Sequence, residues 1–135
     1  MFSRSFARWF LGFLGLFHGI NGVYMLLAPA AWYAAVPGVA ETGPFNPHFV
    51  MDIGFAFLAS GAGFLAALWR GRTATTLALA GSIWPALHAL FHVWEWIADH
   101  PPPTAQLWVS EGLGVVLVGL LGLALAVQQF RKGEA

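Results

Sequence analysis

The sequence predicts an all-α fold, a bundle of four transmembrane helices, and three observations carry that prediction. Hydrophobic residues make up 59% of the 135-residue chain and charged residues only 9%, a balance that a water-soluble domain of this size does not have. Four apolar stretches follow one another, over about 6–28, 48–69, 74–98 and 105–129, each near the ~20 residues that a helix needs to cross ~30 Å of hydrocarbon. If these stretches alternate in direction, Arg4, Arg8, Arg70, Arg72, Arg131 and Lys132 all fall on one side of the membrane. The positive-inside rule makes that side cytoplasmic and places both termini there. The whole chain, 1–135, reads as a single integral-membrane domain.

The first stretch is expected to span rather than to be cleaved as a leader, because it is long and carries His18 and Asn21. It should end near Pro29, since proline cannot donate to the helical ladder and disfavours helix in the residue before it. The loop 30–47, "AAWYAAVPGVAETGPFNP", is long enough to fold back over the outer mouth as a lid. Asn46 and Pro47 suit the N-cap and first position of the second helix. The short "RGRT" turn forces the second and third helices to be antiparallel neighbours, with Thr73 as a cap. Pro85 predicts a kink before His88, and "DHPPPT" returns the chain tightly to the fourth helix. Gly15, Gly19, Gly61, Gly63, Ala67, Gly119 and Gly122 supply small faces for close helix packing in lipid. Trp9 and Trp69 on one side, and Trp32, Trp96 and Trp108 on the other, suit the interfacial belts.

Absent cysteine excludes disulfides, thiolate metal sites and CxxC redox chemistry. A formal net charge of zero leaves no field to draw nucleic acid. The chemistry must lie in the ionisable groups set within apolar helices. At ~100° per residue, His88, His92 and Glu95 fall within ~60° on the third helix. His18 and Asn21 share a face by their spacing of three, and His48 and Asp52 by their spacing of four. Glu111 sits about one turn into the fourth helix. Counting inward at ~1.5 Å per residue, His18 and His88 lie ~15 Å deep, Asn21 and His92 ~10 Å, and Asp52, Glu95 and Glu111 ~5–8 Å. Such groups are costly in lipid and face the bundle interior or a wet cavity, so a funnel in the outer half is expected.

Imidazoles and carboxylates at a spacing of three favour a transition-metal site for Zn, Fe, Cu or Mn. Its ligands would be His88, His92, Glu95, His18, Asp52 and Glu111, with Asn21 and His48 orienting them. A haem b held axially by His18 and His88 is a second reading. A third is a lipophilic small molecule bound or converted by acid and base groups without metal. A fourth is an accessory or structural subunit whose polar groups only pair across helices, with partner subunits or a second copy beside it in the bilayer. "LFHGIN" (16–21) is similar to "LFHVWE" (90–95), and "FVMD" to "WVSE", as two parallel helix-hairpin repeats would produce. That repeat would set His18, Asn21 and Asp52 opposite His92, Glu95 and Glu111.

In size, four-helix layout and glycine-rich first helix, the chain resembles the small bacterial membrane proteins grouped as DoxX-like. "WYAAVPGVAETGPFNPHFVMDIG" (32–54) also looks like a signature stretch of a bacterial family to which no activity attaches. Some DoxX-like proteins are linked to quinone-dependent sulfur oxidation as partner subunits. The resemblance therefore implies the inner membrane of a bacterial cell and an accessory role, and it assigns no functional residue.

Overall fold

The computed structural model describes residues 2–98 and 101–133, so Asp99 and His100 of the "DHPPPT" connection lie outside the described residues. Four spans are long and apolar enough to cross a membrane, and the chain is a small multi-pass membrane protein. The first is α1 (Arg4–Leu27), opened by Ser3, whose hydroxyl accepts from the Phe6 amide at 3.1 Å. A short α2 (Pro29–Ala35) and one 3-10 turn (Val39–Glu41) occupy the long connection. The second span is α3 (Pro47–Ala66), the third α4 (Arg72–Ile97). The fourth consists of α5 (Ala105–Glu111), a π-helical segment (Gly112–Leu117) and α6 (Val118–Gly133).

Local chemistry explains most boundaries. The Asn46 side chain accepts from the Phe49 amide at 3.2 Å while Pro47 takes the first helical position, as the sequence predicts. Thr104 caps α5 in the same way, accepting from the Leu107 amide at 3.2 Å. Two boundaries differ from expectation. The helix α3 stops at Ala66 rather than near 69, because Ala67, Leu68 and Trp69 turn their amides onto Phe64, Leu65 and Ala66 in a tighter coil. Thr73 does not cap α4: the helix begins at Arg72 after Gly71, whose φ of 105° is open to glycine and strained for other residues. The helix α4 runs on through Pro85.

The strongest helix contacts pair α1 with α3 and α4 with α6, joined by α3 against α4. Close approach at glycine makes the joints: a Cβ on Gly61 would lie 2.8 Å from the Gly19 nitrogen, and one on Gly63 2.6 Å from the Gly81 Cα. Both chain termini meet at one end of the bundle. There Arg4 Nη2 donates to the Lys132 carbonyl at 2.6 Å and Gln129 Nε2 to the Arg4 carbonyl at 2.8 Å. Arg8 donates to the Ala67 and Leu68 carbonyls, satisfying the C-terminus of α3. Above this end lies a core of Ala7, Leu11, Leu14, Phe64, Ala67, Ala78, Leu125 and Ala126.

The opposite end is crossed by the connection from α1 to α3. Pro29 ends one helix and starts the next, so the expected loop is helical in its first third. Trp32 is buried against Met25 and Val50, correcting its assignment to an interfacial belt. Trp9 and Trp69 are 72% and 68% exposed. The connection reaches the fourth span: a Cβ built on Gly38, which has a φ of 85°, would lie 2.9 Å from Leu107 and 3.8 Å from a Glu111 carboxylate oxygen.

Candidate functional site

The polar groups of the lid-side half form one cluster and one column below it. Glu111 ends α5 where the π segment begins, and π turns often occur at functional sites. One of its oxygens, Oε2, accepts from the Trp96 indole at 2.9 Å and lies 3.2 Å from His92 Nδ1. Glu95, one turn along α4, places an oxygen 3.9 Å from the same imidazole nitrogen. The side chains of His92, Glu111 and Glu95 are 18%, 21% and 37% exposed, so the cluster is half-buried and grades outward through Glu95.

Below it, the rings descend in order. His88 stands edge-on to His92, centroids 4.8 Å apart, and stacks on Trp84 at 5.1 Å with 12° between planes. Trp84 meets Phe57 of α3 at 4.9 Å, and Phe57 meets His18 of α1 at 5.3 Å. His18 is 3% exposed, its Nδ1 2.8 Å from the carbonyl of Leu14 one turn earlier. A carbonyl can only accept, so Nδ1 carries the proton and the Nε2 of a neutral ring is left as an acceptor. His18 and His88 line a cavity of about 20 Å³ together with Phe57, Trp84, Pro85, Gly114, Val115 and Val118. Phe64, packed on the His18 ring at 5.3 Å, seals the column from the core beneath.

The predicted site residues thus divide. His88, His92, Glu95 and Glu111 come together, and His18 lines the cavity with His88. Asn21 bonds to its own helix through the Phe17 carbonyl, and accepts from the Trp32 indole at 3.4 Å, tying the α1–α3 connection to α1. Among the described residues His48 and Asp52 pair only with each other, at 3.4 Å, and they are 88% and 58% exposed at the end of α3. Asp52 therefore does not take the place opposite Glu111 that the repeat assigns it. Their i,i+4 spacing gave a shared face, which turns out to be the outward one. Among the described residues no three His, Asp or Glu are grouped to hold a metal ion, and His92 Nδ1 is already engaged by Glu111. The cavity between His18 and His88 is of water size, far smaller than a haem macrocycle. Trp96 was assigned to the interface, yet its indole is a cluster member; its i,i+4 spacing from His92 was the available signal.

No protein-family profile, curated protein or solved structure matches the chain. The resemblance to DoxX-like proteins accordingly stays one of layout, and the function must be argued from the cluster itself.

Proposed function

We propose that the protein binds the protonatable head of a lipophilic small molecule, an alkyl or aryl amine, at Glu95, His92 and Glu111. The observation that carries this reading is a charge deficit. Two carboxylates lie within 4 Å of one imidazole, while all six Lys and Arg sit at the other end of the four spans. A protonated His92 can balance one carboxylate only. Within apolar surroundings the second requires a proton or a cation. Aromatic rings flank the cluster, with Trp96 and Trp108 4.8 Å apart and Phe91 beside Trp94 at 5.8 Å. A cation is attracted to such ring faces, and its apolar tail to the lipid beside them. With the basic end cytoplasmic, the ligand enters from the outer leaflet of a bacterial inner membrane.

A transition metal answers the same deficit, with His88 as the nearest further imidazole, and is the competing reading. Titration of a long-chain amine into the protein in lipid nanodiscs, followed by tryptophan fluorescence, separates the two. The amine should bind about tenfold or more tightly than the alcohol of equal chain length, the advantage of a charge-assisted hydrogen bond. Equal affinities would overturn the proposal. One equivalent of transition metal in the purified protein, lost in His92→Ala, would replace it.

A further inference from the structure

One helical turn deeper than the carboxylate cluster, the cavity between His18 and His88 meets the requirements of a different ligand. We infer that it binds a single water molecule bridging the two imidazoles, which carries the polar path from Glu111 and His92 to the middle of the bilayer. Three observations lead there. The cavity measures about 20 Å³, and about 10–15 Å³ is needed for one water. It is therefore too small for an organic ligand or a haem. Second, His18 donates through Nδ1 to Leu14, so its Nε2 is an acceptor. His88 makes ring contacts but no hydrogen bond among the described residues. Third, among the described residues no sealed side-chain nitrogen or oxygen lacks a partner. The free nitrogens of these two rings therefore keep accessible surface, and the cavity they share is where it lies.

An imidazole left unbonded in hydrocarbon costs about 2–7 kcal/mol, depending on the reference state. The ring contacts run from His18 through Phe57 and Trp84 to His88, and among the described residues no hydrogen bond joins the two imidazoles directly. One water satisfies both: it donates to His18 Nε2 and pairs with a His88 nitrogen in either tautomer, since water both donates and accepts. Gly114 of the π segment is among the residues that line the cavity, and having no side chain it does so through its backbone. The path ends at His18, because Leu14 and Phe64 below it are fully buried. It is a half-path, open toward the lid and closed toward the termini.

The test is solid-state NMR of the 15N-histidine-labelled protein in lipid bilayers, with magnetisation transferred from water and no amine added. His92, at the half-buried cluster, is the internal standard. Transfer to His18 and His88 on the same timescale as to His92 is the expected result; transfer to His92 alone overturns the inference. In His88→Phe the larger apolar ring stacks on Trp84 and fills the cavity, so transfer to His18 should be lost. An undiminished His18 signal in that variant would also overturn it. The wild-type spectrum decides the matter if His88→Phe does not fold, and neither result depends on what the carboxylate cluster binds.

Discussion

The half of the bundle that carries both termini and the half beneath the lid are built from the same four helices by opposite rules. Toward the termini, alanine, leucine and Phe64 form a buried apolar core. Backbones approach until no Cβ would fit between Gly63 and Gly81. Toward the lid, the interior holds imidazoles, carboxylates and indoles. A cavity remains there, and the fourth span loosens into a π segment with two glycines, Gly112 and Gly114, at which a Cβ would meet nothing within 4 Å. Lipid offers helices no hydrophobic reason to associate, so van der Waals packing must hold the bundle. The termini-side half does that, which leaves the lid-side half free to keep polar groups that packing alone would not select.

Breaking the packed half should have the largest effect. Phe64→Ala removes the ring that seals the core from His18. It should cost about 3–5 kcal/mol, read as lost thermal stability in detergent. Next comes Gly63→Val, which drives a branched side chain into Gly81 and the Leu77 carbonyl. Forcing α3 from α4 there should cost about 2 kcal/mol by the same measurement. The smallest effect sharpens the contrast by its sign. Gly114→Ala has room for its methyl group and should stabilise the protein by about 0.5 kcal/mol, since glycine within a helix is unfavourable relative to alanine. A large loss at Gly114 would mean that the lid-side half is packed as closely as the other.

These differences also explain what the sequence could disclose. Span number follows from hydropathy, since four apolar stretches of spanning length are written in the composition itself. The Asn46–Pro47 start was legible because its capping chemistry is local. The inward direction of each helix was not, since lipid and protein core are equally apolar and hydrophobic periodicity then carries little information. Asp52 and His48 were placed in the bundle for that reason, although their pair faces outward. On α4 three ionisable groups share one stripe, and a stripe of that cost has to turn inward; His88, His92 and Glu95 do lie beside one another. The π segment and the burial of Trp32 depend on contacts between distant elements, which no local pattern encodes.

The central claim is that Glu111 serves binding rather than holding the bundle together. Glu111→Gln retains size and hydrogen bonding while removing the carboxylate charge beside His92. Amine affinity and thermal unfolding of this variant, measured on one nanodisc preparation, test the claim most directly. The account predicts an affinity loss of about tenfold or more with a stability change of about 1 kcal/mol or less. A variant that unfolds readily, or one that binds the amine as the wild type does, would contradict it.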